Sequence, residues 1–374
     1  MKKTLAAGLT ALLVLFSLAV CGCTSNTGAW TITINGAGVI NGAGVINGTI
    51  YDDIANSNET INDTNGVPLE QFLYRYGIFP VTSVSIGGNT YNWTWLASAT
   101  DMDMPVLVLH DGRIFDGQGY LRADNINVTV ADKPAHSSLE IEPSMLHALG
   151  LGGNGSLMPE KSNRIVLFYV DALGYERYEQ AKSKGIINNI TSLGEPQKIS
   201  SVYPSISIVN SKTLVSGIPP DARKGNFREY YPDGPTILDI AAQHGLTAYW
   251  IDSRTSPVSL GDHIINRPDT NSNGYEADEV ASEAIEKYGN EVNLLFVHFK
   301  DTDSSMHAYG PHSGEAMAAL QFVDAQIGRL LPMLDPGTIV IIYSDHGGHD
   351  VPHGGNHGTL IPEDMIVPFI VHVV

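Results

Sequence analysis

The chain has 374 residues, with 40 acidic against 21 basic side chains and a formal net charge of −19. That excess argues against a nucleic-acid or anionic-membrane surface on the folded body, although metal ions could neutralise a site locally and let it bind phosphate esters. The two cysteines, Cys21 and Cys23, both lie near the start, so the remainder has no internal disulfide or thiolate metal site and depends on core burial, for which its length suffices in two domains.

Met1–Cys23 reads as a lipoprotein-type signal peptide. Lys2 and Lys3 form a positive start, Leu5–Val20 an apolar core, and Val20-Cys21-Gly22-Cys23 resembles a bacterial lipoprotein cleavage box with Cys23 lipidated. Cys21 stands where a small or hydroxyl residue is more usual, and an uncleaved N-terminal anchor is the alternative. Either way the body is expected to be exported and held at the cell surface, meeting the membrane only through its N-terminus. Residues 24–65, rich in Asn, Gly and Thr, read as a spacer, and the duplicated NGAGVIN (Asn35–Asn41, repeated from Asn41 to Asn47) fits a β-hairpin edge rather than a solenoid. Asn-X-Ser/Thr triplets at Asn47, Asn58, Asn62, Asn92, Asn127, Asn154 and Asn189 fit a glycosylated surface protein.

Residues 66–134 read as a small β-rich domain. Pro68–Tyr76 is expected to be a helix with Leu69, Phe72 and Leu73 on its apolar face, and strands are expected at Thr82–Ile86, Thr90–Leu96, Pro105–His110 and Asn125–Val130. The GVPL helix followed by strands faintly resembles the sulfite-oxidase-type molybdopterin-binding fold. The molybdenum-ligating cysteine is absent, so the expected role is a binding or spacer module. Residues 135–162, with Gly152-Gly153 and Pro159, read as a linker.

From residue 163 strands alternate with helices, which predicts an α/β domain with a mostly parallel sheet flanked by helices. Helices are expected at Tyr175–Lys184, Ile208–Val215, Thr236–Gln243, Glu276–Tyr288 and Glu315–Leu331, with a further strand at Thr247–Ile251. Three apolar strands each deliver an Asp at the carboxyl end. Arg164–Val170 leads to Asp171. Asn293–Phe299 leads to Asp301 and Asp303, with His307 four residues further on. Ile339–Tyr343 leads to Asp345-His346, and His357 follows eleven residues later. In a parallel α/β sheet those ends share one edge, where ligands bind, and Asp with His suits zinc or manganese. Ser207, at the start of the Ile208–Val215 helix, reads either as an N-cap or as a metal-activated nucleophile.

In combination these segments resemble the alkaline phosphatase superfamily, and within it the type I phosphodiesterase/nucleotide pyrophosphatase group, over about residues 163–374. The resemblance rests on Asp171; Pro204 through Ser207 to Asn210, closed by Ser216-Gly217-Ile218-Pro219-Pro220; Asp303 through His307 to Tyr309-Gly310-Pro311; Ser344–Gly347; and Gly355–Gly358. Ser207 replaces the commoner Thr, Thr302 the usual Pro and Met306 the usual Gly, and the chain stops at Val374 where relatives usually continue with a further helix. The resemblance implies an alkaline-phosphatase-like fold and two metal ions, most simply zinc. One would be held by Asp171, Asp345, His346 and Ser207, the other by Asp303, His307 and His357. It also implies a phospho-enzyme on Ser207, Asn210 as donor to a non-bridging oxygen, Tyr309 against the substrate and a small phosphate ester as partner. Lys212 points away from Ser207 on the expected helix, so a neutral Asn210 favours a diester. A phosphomonoesterase is the alternative, with Arg254 or Arg267 folding over the site to supply charge. A sulfatase would need a Cys-x-Pro-x-Arg-type motif, which is absent; cytoplasmic mutase relatives do not fit the export signal. A non-catalytic surface protein would have no reason to keep seven ligand-type residues.

Overall fold

The computed structural model describes residues 30–36, 44–55, 59–61, 63–92, 106–220, 234–289 and 292–374. The signal segment with Cys23, and residues 37–43 of the duplicated heptapeptide, lie outside them. No helix among the described residues is long and apolar enough to cross a membrane.

An eight-stranded sheet carries the C-terminal part. Its spatial order is His136–Ser137, Gln197–Ser200, Ile366–Val373, Ile339–Tyr343, Ile165–Val170, Leu294–Phe299, Ala248–Asp252 and Ile264–Asn266. Only Ile366–Val373 runs against its neighbours; the other pairings in the sheet are parallel. The central strands are buried on both faces, as parallel strands covered by helices must be. Val166, Phe168 and Val170 join Leu295, Val297 and Val340 in one core. Ile165, Leu167 and Tyr169 join Leu294, Phe296 and Ile341 in the other.

The first core is covered by helices Ala277–Tyr288 and Gly314–Leu330, the second by Ile237–Gln243, which starts at a Thr236/Asp239 capping box. The helix expected at 208–215 runs Ser207–Ser216 and stops at Gly217, whose φ of 63° is the left-handed conformation that glycine adopts without penalty.

Two expectations are corrected. The segment read as a linker, 135–162, contributes an edge strand and a helix, Ile141–Ala148, because Ile141, Met145 and Ala148 pack into the second core. The segment read as a spacer is folded at Thr31–Asn35 and Gly44–Asn47, the antiparallel edge pair expected of the β-hairpin, at the rim of a five-stranded sheet with Asn125–Val130, Val81–Ile86 and Asn89–Asn92. Its Ile32, Ile34 and Ile46 are buried with Phe72, Leu73 and Phe79. Of the seven triplets, Asn189 is a poor glycan acceptor, because its amide donates to Asp324 Oδ2 at 2.8 Å and to the Asp324 carbonyl.

The small β layer shares its core with the C-terminal part. Tyr203, Leu360, Ile361 and Met365 pack into the same cluster as Phe72 and Phe79. Tyr203 Oη donates to Glu70 Oε2 at 2.8 Å, and Val81 N–H donates to the Leu360 carbonyl at 2.8 Å.

Candidate active site

The parallel register explains how distant residues meet. Tyr169 sits beside His298 and Tyr343 in adjacent strands, so Asp171, Asp303 and Asp345 all emerge just beyond one end of the sheet. The chain leaves the first strand through Ala172, at φ 57°, a conformation unfavourable for alanine. Ala172 and Leu173 are held there as their N–H groups donate to Asp345 Oδ1 (3.3 Å) and Ser344 Oγ (2.8 Å). Arg177, 2% exposed, donates to the carbonyls of Ala172 (3.2 Å), Thr302 (3.1 Å) and Ala316 (2.8 Å). It thereby ties the turn after Asp171 to the helix Asp301–Tyr309, which carries Asp303 and His307 on one face, four residues apart. Thr302, in the position where Pro was usual, donates its hydroxyl to the Asp171 carbonyl.

Two ligand-type groups form. Asp171, Asp345 and His346 make a fully buried one; Asp303, His307 and His357 make one open to solvent at His307. Ser207 Oγ lies at the first, 3.1 Å from His346 Nε2 and 3.3 Å from Asp171 Oδ1. The Nδ1 atoms of His346, His307 and His357 lie 2.8, 3.0 and 2.9 Å from the carbonyls of Gly347, Gly355 and Ser205. A carbonyl only accepts, so in each neutral ring Nδ1 carries the proton and Nε2 presents a lone pair. His307 Nε2 and His357 Nε2 face each other at 3.2 Å, with Asp303 Oδ1 at 3.4 and 3.7 Å. No described donor reaches that Asp303 oxygen. Lone pairs and a carboxylate facing one another at this range fit a divalent cation, and the N and O donor sets suit zinc or manganese.

The electrostatics agree. Burial, with Asp345 and Asp303 nearby, pushes the Asp171 carboxyl up to about 7. Asp345 lies below the usual carboxylate range: burial alone would raise it, but His346 and its other neighbours outweigh that. His346, despite burial, is raised to about 8 by Asp345, Asp171 and Asp303. His357 is pushed down to about 4 by burial and by His346.

Asn210 is a correction. It is fully buried, and its oxygen accepts from Ser201 Oγ (2.9 Å) and Val202 N–H (3.2 Å), which fixes the amide orientation. Its Nδ2 donates to the Ile206 carbonyl at 3.2 Å and, more weakly, toward Val202. It pins the loop leading into Ser207 rather than offering a donor to substrate. Arg254 and Arg267, expected to supply charge over the site, pair instead with Glu276 (3.2 Å) and Glu283 (2.5 Å). Lys212 is buried. Tyr309, two residues beyond His307, is 58% exposed.

Sequence reasoning missed His298 and Asp252. Nε2 of His298 lies 3.0 Å from Asp171 Oδ2, and its Nδ1 lies 3.1 Å from Asp252 Oδ2. Two signals were present: a lone histidine in an otherwise apolar strand, and a fourth Asp at the carboxyl end of a strand. His349 is buried against Asp364 (2.8 Å), which also accepts from Thr359 N–H and Oγ1 and so braces the loop after His357.

Residues 233–368 match the family model for type I phosphodiesterase / nucleotide pyrophosphatase, which bears out the resemblance over that stretch. The stretch contains Asp303, His307, Asp345, His346 and His357, but not Asp171 or Ser207. A phosphopentomutase of Rhizobium meliloti is 35% identical over 141 residues, 36% of this chain and 33% of the relative. A GPI ethanolamine phosphate transferase 3 of Eremothecium gossypii is 26% identical over 239 residues, 56% of this chain and 23% of the relative. Among solved structures, an alkaline phosphatase superfamily protein from Vibrio parahaemolyticus superposes with a TM-score of 0.43 at 15% identity, covering 57% of this chain and 60% of that one. The chain thus spans a third or less of the curated relatives and under two thirds of that structure.

Proposed function

We propose that the protein is an exported, metal-dependent phosphoric ester hydrolase that cleaves phosphodiesters or nucleotide pyrophosphates through Ser207. The observation that carries this reading is the convergence of His346 Nε2 and Asp171 Oδ1 on Ser207 Oγ, beside a second group in which His307, His357 and Asp303 face one another. Asp171, Asp345 and His346, with the Ser207 oxygen, would hold one ion, and Asp303, His307 and His357 the other. Bound divalent ions supply charge neutralisation, a more acidic Ser207 hydroxyl and stabilisation of the attacking and leaving oxygens.

The residues of the chain do the rest. Ser207 is the first residue of its helix, and Val209 and Asn210 N–H already bond to the Ile206 carbonyl. The Ser207 and Ile208 N–H groups at the helix start are left to meet a phosphate oxygen. Ser207 Oγ gives its proton to solvent and attacks phosphorus as the P–O bond to the leaving group breaks; the leaving oxygen departs as an anion and takes up a proton from water. A water molecule then attacks the phosphoserine, the P–Oγ bond breaks, and Ser207 regains its hydroxyl as phosphate or the remaining monoester leaves. Tyr309 offers an exposed ring to a leaving group.

The diester preference no longer draws on Asn210. It is supported by the family match and by the pairing of Arg254 and Arg267 with glutamates, which leaves them turned from the second charge of a monoester. A phosphomonoesterase is the rival within the same chemistry. Anchoring through Cys23 is carried by the sequence alone.

The test is a panel of nitrophenyl diesters, nitrophenyl phosphate and a nucleotide pyrophosphate, assayed with about two equivalents of zinc or manganese and again after chelation. Faster diester or pyrophosphate cleavage that disappears on chelation is expected. Full activity in the metal-free protein would sink the reading, and a clear monoester preference would reassign the substrate.

A further inference from the structure

His298 occupies the fifth position of the strand Leu294–Phe299 and is its one polar residue. The ring is wholly buried, stacked on Tyr169 at 3.9 Å between centroids and edge-on to Trp250 at 5.8 Å. It cannot rotate without displacing both aromatics. On one side Nε2 meets Asp171 Oδ2 at 3.0 Å; on the other, Nδ1 meets Asp252 Oδ2 at 3.1 Å. Asp252 is itself fixed, accepting from Trp250 Nε1 (2.8 Å) and Ser253 N–H (2.8 Å). A carboxylate oxygen only accepts, so the ring donates in both directions. One lone pair of Asp171 Oδ2 is thereby taken, and Oδ1 is the oxygen nearer Ser207 Oγ, at 3.3 Å against 3.5 Å for Oδ2, and the one that lies 3.5 Å from His346 Nε2.

We infer that His298, braced by Asp252, is a positioning residue that makes Asp171 a single-oxygen ligand through Oδ1 and sets its distance to Ser207. This rests on the two-ion reading of the site. The consequence is asymmetric. The Asp171–Asp345–His346 centre depends on His298, whereas the Asp303–His307–His357 centre has no contact with it. Removing such a carboxylate-orienting partner typically weakens ion binding 10–100-fold.

A pair of substitutions separates positioning from packing. In His298→Gln the amide nitrogen takes the place of Nε2 and keeps the donor to Asp171. In His298→Asn it takes the place of Nδ1 and keeps only the contact to Asp252. Zinc affinity of each centre in the full chain is measured by chelator competition, with cobalt absorption reporting the geometry of the first centre and melting of the metal-free protein reporting the fold. His298→Asn is expected to lose about 10–100-fold at one centre only, with an altered cobalt spectrum, and His298→Gln to recover most of it. Equal affinities in the two variants, or equal losses at both centres, would overturn the inference while leaving the two-ion reading intact. A wild-type protein that binds no zinc would overturn both. Should both variants unfold, Asp252→Asn carries the test: a several-fold loss confined to one centre supports the inference, and unchanged affinity refutes it.

Discussion

Acidifying the solution from pH 8 to pH 6 should weaken ion binding at the Asp171–Asp345–His346 centre far more than the charge of a surface carboxylate could. An ion needs Asp171 ionised and His346 neutral. Without an ion, burial and the neighbouring Asp345 and Asp303 hold Asp171 up at about 7, and the same carboxylates hold His346 up at about 8. Both shifts are upward, so both groups keep their protons as the pH falls, and the penalty grows on the acid side. The two groups titrate together, since ionised Asp171 is one of the charges that raises His346. The apparent affinity should therefore fall by about tenfold or more between pH 8 and pH 6, with more protons released per ion at pH 6 than at pH 8. Neither Asp345, already depressed, nor His357, at about 4, takes part in that window. Zinc calorimetry in buffers of different ionisation enthalpy counts the protons directly. Binding without proton release at pH 6, at an affinity equal to that at pH 8, would refute the argument.

Ser207→Ala should remove turnover by several orders of magnitude while leaving both ions bound; an unimpaired variant would mean that water attacks phosphorus without a serine intermediate. Arg177→Lys should cost about 2–4 kcal/mol in urea unfolding, because an ammonium cannot serve the three carbonyls that the guanidinium reaches, and a change near zero would contradict that account. Glu142, 7% exposed, is raised by burial to about 7. Folding therefore disfavours its ionised form, a cost that is absent below pH 4.5 and grows as the pH rises to 7. Glu142→Gln should stabilise the protein at pH 8 by up to about 3 kcal/mol and leave stability at pH 4 unchanged.

Most of the candidate ligand set was legible because its members sit where a local pattern ends: an apolar strand closing on Asp171 or on Asp345-His346, or Asp303 and His307 at helical spacing. Asp252 obeys the same strand-end rule, but its partner, His298, comes from the neighbouring strand, a pairing that sequence order does not announce. Asn210 was misjudged for a similar reason. Helical geometry does put it on the Ser207 side, but the loop Ser201–Ile206 folds back over that face and takes up the amide. Nor does any local pattern announce that Ile366–Val373 inserts between Gln197–Ser200 and Ile339–Tyr343 in the opposite direction. Strand order is decided by pairing across long sequence separations, which period and propensity do not encode.

The seam between the small β layer and the C-terminal part limits how this chain can be cut or recombined. A shortened chain starting at Ser162 would keep all seven ligand-type residues. It would also turn Tyr203, Leu360, Ile361 and Met365 out of their shared core and leave Tyr203 Oη without Glu70. Tyr203 precedes Ser207 by four residues, and Leu360 follows His357 by three. The newly bared surface would thus sit directly under Ser207 and His357, inviting aggregation at the point where the proposed geometry matters most. A chimera that grafts another module onto residues 163–374 must reproduce that apolar seam, residue against residue; a flexible joint will not serve.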